Sequence, residues 1–227
     1  MKAAPFIVIL LFVAGVLWSC TDDDDVARRY TDYRLDVVTY RGAADDGVHF
    51  ELLRRNDSSA LDLMADRGTE VNVAIGQRAL LRYDWQNANE TGDRRRITVY
   101  ACSSITTDSL RYAVQPLAYY TAQMEPVKLR SMWRTGDYIN MRLQVQFTGT
   151  PRHFYLLLDR ATAQADTVQC YLVNNTRGDV TYHWRDAYAS FFVGNAWSRP
   201  SCRALCVTVN DTVRGGESHF YFEKQQY

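Results

Sequence analysis

The sequence predicts an all-β fold, because three observations agree. The chain of 227 residues contains 15 Tyr, 9 Phe and 5 Trp, and aromatic residues are enriched in strands. Its apolar runs after the N-terminal segment are short and are separated by turn-forming residues at regular spacing. No stretch sustains the 3.6-residue period of an amphipathic helix. We therefore expect many short strands arranged in barrels or sandwiches.

The first half of the chain predicts a small antiparallel barrel or sandwich. Asp45-Asp46-Gly47 is a hairpin turn signal, and the run that follows it alternates apolar and polar residues. Five short strands with turns between them fit a small closed or layered sheet. The predicted strands are Leu35–Tyr40, Val48–Leu53, Ala60–Met64, Ala79–Trp85 and Ile97–Ile105.

The second half predicts an antiparallel β-sandwich. Tyr138 to Phe147 alternates throughout, with Ile139 and Met141 on an apolar face and Asn140 and Arg142 on a polar one, as expected of a sheet with one dry side and one wet side. Regularly spaced turns continue to the end of the chain. Further strands are predicted at His153–Asp159, Thr167–Val173, Val180–Trp184, Tyr188–Val193, Arg203–Val209 and His219–Glu223.

Domain boundaries follow from this pattern. The junction between the two halves lies near Gln115-Pro116, where the strand pattern is interrupted. We predict a barrel domain at residues 34–116 and a β-sandwich domain at residues 117–227. The segment before them divides into a signal peptide at residues 1–19 and a polar tether at residues 20–33.

The N-terminal segment predicts a bacterial lipoprotein signal. Lys2 precedes an apolar run, and Leu17-Trp18-Ser19-Cys20 follows the lipobox pattern apart from the bulky Trp18. A membrane-spanning helix would need about 20 apolar residues, so a cleaved signal fits this shorter run better. We expect Cys20 to be lipidated. Several acyl chains on one residue would hold the protein at a membrane essentially permanently.

An acidic run directly follows the predicted lipidation site. In one interpretation it is a self-repelling tether that keeps the folded part away from the lipid. In the other it resembles the export signal that sends some Gram-negative lipoproteins to the cell surface, and both can hold. We expect an outer-membrane lipoprotein that faces the cell exterior, with the periplasmic face as the alternative. The residues of the predicted export signal are Asp22, Asp23, Asp24 and Asp25.

The charge balance argues against one class of binding partner. The mature chain would carry 25 basic and 26 acidic residues, which argues against nucleic acid as a main partner because that binding neutralises phosphates.

Four cysteines after Cys20 allow three disulfide connectivities, and buried free thiols are the simpler expectation. They are Cys102, Cys170, Cys202 and Cys206.

Catalytic and metal-binding signatures are not found in the sequence. It contains no G-x-S-x-G, H-E-x-x-H, P-loop or G-x-G-x-x-G motif, and its cysteines lack the close CxxC spacing of zinc sites. The four histidines are scattered among predicted strands, so we predict neither a metal nor a cofactor. Carboxylates lie mostly in turns, and a glycosidase-like pair would have to be assembled by folding. The histidines are His49, His153, His183 and His219.

Several short stretches of the chain resemble the NigD-like lipoproteins. Trp133 to Asn140 resembles their W-x-x-G-D-Y-L-N stretch, and Ser190-Phe191 resembles a later S-F element. Gly76-Gln77-Arg78 with Leu80 and Tyr83 resembles their G-x-R-V-L-x-N-Y strand, with Arg82 in place of the Asn. The resemblance implies an OB-type barrel followed by a β-sandwich. It supplies no catalytic residues.

An OB-type barrel suggests a ligand face at its mouth, where such folds bind oligomers. Three consecutive arginines end a polar loop, and four aromatic or histidine side chains on nearby strands could stack against a ligand. Core or sheet-surface packing is the alternative for these rings. The residues of this predicted ligand face are Tyr40, His49, Tyr83, Trp85, Arg94, Arg95 and Arg96.

Three Asp-Ser/Thr-aliphatic stretches resemble O-glycosylation sites of Gram-negative surface proteins. Their acceptors would be Ser109, Thr167 and Thr212.

Three functions remain open at this point. A non-catalytic, lipid-anchored surface protein that binds an unidentified protein or oligosaccharide fits the lack of catalytic motifs best. A carbohydrate-active hydrolase is suggested only by location and abundant carboxylates. Envelope self-protection linked to a bacteriocin locus rests on the family name.

Overall fold

The structure is a computed structural model that describes residues 33–55, 59–147, 153–175 and 182–224. Cys20 and the acidic run Asp22–Asp25 lie outside these described residues. Residues 35–227 form one compact unit. Within the described ranges, no helix has the length and apolar character needed to cross a membrane.

The N-terminal half is the OB-type barrel that the resemblance implied. Five strands close into a barrel in the order β1-β2-β3-β5-β4. Strands β3 and β5 run parallel, whereas the pairs β1–β2, β2–β3 and β4–β5 run antiparallel. Apolar side chains of all five strands fill its interior. The strands are β1 (Arg34–Ala44), β2 (Gly47–Leu52), β3 (Leu61–Ala65), β4 (Arg78–Trp85) and β5 (Arg94–Ser104).

The predicted turn between the first two strands is confirmed, and its glycine is required there. Gly47 has a φ of 153°, a conformation that L side chains rarely adopt. A Cβ at this position would lie 2.3 Å from the carbonyl oxygen of Ala65 on β3. Gly47 therefore allows β3 to approach the hairpin closely.

The C-terminal half is the predicted β-sandwich. One sheet has the order β14-β13-β11-β10-β7 and the other has the order β6-β12-β9-β8. Two short helices, α1 (Leu117–Thr121) and α2 (Gly194–Trp197), and a 3₁₀ turn at Arg160–Thr162 connect strands. The strands are β6 (Thr106–Ser109), β7 (Arg111–Tyr112), β8 (Lys128–Thr135), β9 (Tyr138–Phe147), β10 (His153–Leu158), β11 (Thr167–Asn175), β12 (His183–Phe192), β13 (Ala204–Asp211) and β14 (Gly216–Glu223).

Pairing within the sandwich differs in detail from the expectation of purely antiparallel sheets. Three pairs are parallel: β6 with β12, β7 with β10, and β11 with β13. The pairs formed by β6 and β7 arise because the chain leaves the barrel after Ser104 and adds one strand to each sandwich sheet. Residues 106–112 were predicted to lie in the barrel domain. The described parts of the strands predicted at 180–184 and 188–193 belong to one continuous strand, β12.

The polar face of β9 departs from its predicted alternation at one residue. Ile139, Met141, Leu143 and Val145 are buried in the sandwich core as expected. Asn140 points to the opposite face, yet it is 0% exposed. The explanation is that the barrel covers this end of the face, where Asn140 accepts a hydrogen bond from a barrel arginine.

That arginine, Arg78, is the centre of a buried polar network between barrel and sandwich. It begins β4, is 1% exposed, and donates to Thr39 Oγ1 at 3.0 Å and to the Val37 carbonyl at 3.4 Å on β1. Across the interface it donates to Asn140 Oδ1 on β9 at 3.1 Å and to Ser190 Oγ on β12 at 3.2 Å. One side chain therefore joins both halves.

The network is closed by hydrogen bonds among its own members. Ser190 Oγ donates to Asn140 Oδ1 at 2.8 Å, and Asn140 Nδ2 donates to Thr135 Oγ1 at 2.9 Å. The Arg78 guanidinium also lies 4.7 Å from the centre of the Tyr138 ring, a cation–π distance. All four acceptors of Arg78 are neutral oxygens. Desolvation lowers the pKa of Arg78 to about 10, so it remains charged at neutral pH.

We expect Arg78→Ala to lower the free energy of unfolding by about 3 kcal/mol. The change removes a charged donor of four hydrogen bonds, and the buried oxygens that accepted them lose a partner. Urea unfolding followed by tryptophan fluorescence measures this change. Arg96→Ala, which alters an exposed arginine of β5, is the matched control and should change stability by less than about 0.5 kcal/mol. Equal losses in the two variants would contradict a structural role for Arg78.

Candidate functional site

Three stretches that carry the family resemblance meet at this interface. Gly136-Asp137 forms the turn of the β8–β9 hairpin, with Gly136 at a φ of 51°. The hairpin brings Asn140 beside Ser190 of the S-F element, and Arg78 of the G-x-R element reaches both. The resemblance therefore includes residues that fix the barrel against the sandwich.

A groove lies directly beside the buried network, between the barrel and the four-stranded sheet. Its volume is about 460 Å³, within the range of small-ligand sites. The barrel contributes residues from the start of β1 and the end of β2, and the sandwich contributes side chains of β8, β9 and β12. Its polar and aromatic lining includes Asp36, Arg54, Arg55, Trp133, Arg142 and Tyr188.

The groove is basic and partly aromatic. Its lining carries three arginines and one aspartate. Arg54 lies 3.5 Å from Asp93, and Asp36 accepts a hydrogen bond from the Tyr83 hydroxyl at 3.1 Å. Arg142 is exposed and lies 5.9 Å from the Tyr188 ring centre. Cations and rings on a concave surface suit an anionic ligand with flat or apolar faces.

The predicted ligand face at the barrel mouth does not form as one surface. Tyr83 is fully buried in the barrel core, and Tyr40 and Trp85 pack against that core. Trp85 is further covered by Arg95, whose guanidinium lies 5.0 Å from its ring centre. Alternation in β4 turns Tyr83 inward together with Leu81. Tyr83 therefore cannot stack on a ligand, and that part of the prediction is wrong.

Two other members of the predicted face form an ion cluster. His49 contacts Asp62 through Nδ1 at 3.0 Å and Asp46 through Nε2 at 2.9 Å. Arg94 donates to Asp62 at 2.8 Å and to Asp46 at 3.3 Å. Arg96 is exposed, and its backbone N–H donates to Glu90 at 3.0 Å. The cluster joins the β1–β2 turn to β2, β3 and β5 and satisfies its own charges internally.

The charges of this cluster shift two pKa values in opposite directions. Hydrogen bonds to Asp62 and then to Asp46 raise the pKa of His49 above its ordinary value. The hydrogen bond from His49 lowers the pKa of Asp46. A general acid needs a raised carboxyl pKa, so the lowered pKa of Asp46 does not suit that role.

The remaining predicted sites lie at different places on the surface. Ser109 and Thr212 are exposed, whereas Thr167 is half-buried at the start of β11. The Thr212 hydroxyl donates to the Val127 carbonyl at 3.1 Å, and Asp211 beside it is a buried acceptor for the Leu129 N–H. That acidic residue therefore has a structural role. The four cysteines Cys102, Cys170, Cys202 and Cys206 are free, with Cys102 half-buried and the others buried.

No sequence pattern marked the groove residues as a binding site. Trp133 and Arg142 were visible only as parts of a motif and of a polar strand face, and Arg54-Arg55 follows a predicted strand without any motif. Arg54-Arg55 of the barrel and Trp133 and Arg142 of the sandwich are far apart along the chain. They line the same groove only because the barrel docks on the sandwich.

A known family model matches most of the C-terminal half. Residues 119–222 match the model of the NigD-like C-terminal beta sandwich domain. No curated protein matches the chain by sequence.

Solved structures share the fold of nearly the whole chain. A protein of unknown function, DUF1344, from Bacteroides vulgatus ATCC 8482 superposes with a TM-score of 0.68 at 17% identity, over 86% of this chain and 92% of that one. A NigD-like immunity protein from Bacteroides caccae ATCC 43185 gives 0.60 at 21% identity, over 85% and 97%. A candidate lipoprotein from Bacteroides fragilis NCTC 9343 gives 0.58 at 9% identity, over 86% and 99%. These likenesses show a common fold.

The His49 cluster makes stability depend on pH in a defined direction. Because the folded pKa of His49 is raised, its contribution is complete below the unfolded pKa of about 6.5 and is lost as pH rises through the folded value. We expect His49→Gln to lower the free energy of unfolding more at about pH 5.5 than at about pH 8.5. Urea titrations of both proteins at the two pH values measure the difference. An equal loss at both would refute the charge pairing.

Proposed function

We propose that this protein, which carries the NigD-like C-terminal β-sandwich domain, is a lipid-anchored envelope lipoprotein that binds a ligand in the groove between barrel and sandwich without transforming it. The observation that carries the proposal is the basic, aromatic groove beside the buried network. The hydrogen bonds of Arg78 join the strands that form the two walls of this groove.

The membrane anchor is supported by the N-terminal sequence. Leu17-Trp18-Ser19-Cys20 supplies the lipidation pattern, and the acidic run after Cys20 supports export to the outer surface of the outer membrane. A neighbour in fold is named as a candidate lipoprotein, which is consistent with this placement. Residues 20–33 would then separate the lipid from the first strand, so the groove would be presented in the aqueous phase.

A binding role without catalysis is supported by the groove's composition. Glycoside hydrolysis by the common mechanisms needs two carboxyl groups facing each other across the bond. Among the residues lining the groove, Asp36 is the single carboxylate. The carboxylates of the His49 cluster are engaged by cations. Retention of a ligand is therefore better supported than its cleavage.

The lipid anchor is tested first. We expect Cys20→Ser to move the protein from the membrane fraction to the soluble fraction, because no acyl chain can be attached to the residue. Ser19→Ala, which keeps a small residue beside the cysteine, should stay in the membrane fraction. Immunoblots of fractionated cells measure both variants, and persistent membrane association of Cys20→Ser would overturn the anchor.

The groove is tested in intact cells. A photo-crosslinking amino acid at Ser131, an exposed residue that lines the groove, should form a specific adduct with the natural ligand. The same group at Ser103, exposed on β5 of the barrel, is the control and should not. Adducts are detected by gel mobility and mass spectrometry. Identical products at the two positions, or none at Ser131, would reject the groove as the binding site.

A further inference from the structure

The groove continues along the open face of the four-stranded sheet. Register across β8, β9 and β12 places Ser131, Arg142 and Tyr188 in one row, directly after the buried row of Asn140 and Ser190. The next row contains Lys128, Gln144 and Asp186, and the row after it contains Gln146 and Trp184. Side chains two residues apart share a face of β9 and β12, and the register shift between Leu129 and Ser131 keeps Lys128 on the same face of β8. These rows therefore form one surface, which we call the ladder face.

Cations on the ladder face are held against aromatic rings. Lys128 Nζ lies 4.1 Å from the centre of the Trp184 ring, and the Arg142 guanidinium lies 5.9 Å from that of Tyr188. A cation supported on a ring is partly ordered before any ligand arrives. A guanidinium also presents donors in a fixed plane, which suits carboxylate or sulfate oxygens. The ladder face therefore offers anion sites at successive rows.

Acceptors and amides alternate with these cations. Gln144 donates to Asp186 Oδ1 at 2.8 Å and accepts from Arg130 at 2.8 Å. Arg142 lies 3.7 Å from Asp186, a long ion-pair distance at which both groups keep exposure of 48%. Carboxylates and carboxamides can accept hydrogen bonds from hydroxyl groups. The surface thus combines anion recognition with hydroxyl recognition.

We infer that the ligand of this site is an anionic glycan chain, which lies in the groove and extends along the ladder face. The inference rests on the proposed function and specifies its ligand class. Acidic groups of the chain bind Arg142, Lys128 and the groove arginines, and its hydroxyl groups bind Asp186 and Gln144. A purely acidic peptide would meet repulsion from Asp186 and Asp36 without hydroxyl groups to satisfy them.

The test is binding to defined probes by isothermal titration calorimetry, with the full chain purified from its host in detergent. The probes are oligogalacturonate, chondroitin sulfate, neutral dextran and poly-glutamate. We expect at least one of the two anionic glycans to bind, with affinity that falls as salt rises. Dextran and poly-glutamate should bind at least about tenfold more weakly, a difference of about 1.4 kcal/mol.

Variants separate the ladder face from the rest of the surface. Arg142→Ala should weaken binding about tenfold, as expected for the loss of a charge-assisted contact, and Asp186→Asn should weaken it less. Arg67→Ala, which alters an exposed arginine between β3 and β4 of the barrel, should leave the affinity unchanged. If Arg142→Ala and Arg67→Ala behaved alike, the ladder face would not be the site.

The outcomes distinguish the ligand class from the binding role. Tighter binding of poly-glutamate, or equal binding of dextran, would overturn the anionic glycan while leaving the groove in use. Failure of all four probes together with a persistent adduct at Ser131 would also overturn the glycan alone. Failure of the probes with no adduct at Ser131 would remove both proposals.

Discussion

The buried guanidinium of Arg78 is the constraint on which the arrangement of the two halves depends. A charge that is 1% exposed must find acceptors in place of water, and those acceptors come from β1 on one side and from β9 and β12 on the other. A guanidinium presents its donors in a rigid plane, so the acceptors must lie at fixed positions. The barrel and the sandwich are consequently held in one relative placement.

The same strands carry both the buried network and the proposed binding surface. Moving two residues along β9 leads from buried Asn140 to exposed Arg142, and two residues back along β12 lead from Ser190 to Tyr188. Because the side-chain period of a strand is two residues, the buried network lies directly beside the first row of the groove. Its hydrogen bonds fix the placement of the strands that carry the proposed binding surface.

Local patterns predicted most of the strands, including the alternation of β9 and the turn at Gly47 that requires positive φ. They failed where a second domain changes the environment of a face. Asn140 follows the polar alternation of β9 and was expected to face water, but the barrel covers it. Tyr83 was considered as a stacking residue, but barrel closure places it in the core. The sequence predicted a break at residues 185–187, whereas β12 continues without interruption from His183 to Phe192.

By itself the sequence determined the all-β class, the order of the two domains, most strand positions and the family resemblance, because these follow from patterns within a few residues. It also supplied the lipidation pattern at Cys20. Only the tertiary structure decided which polar residues are buried and where a groove lies. Arg78 is separated from Ser190 by 112 positions in the chain, and their contact requires a closed barrel, a formed sandwich and the docking of one on the other. No local pattern encodes that geometry.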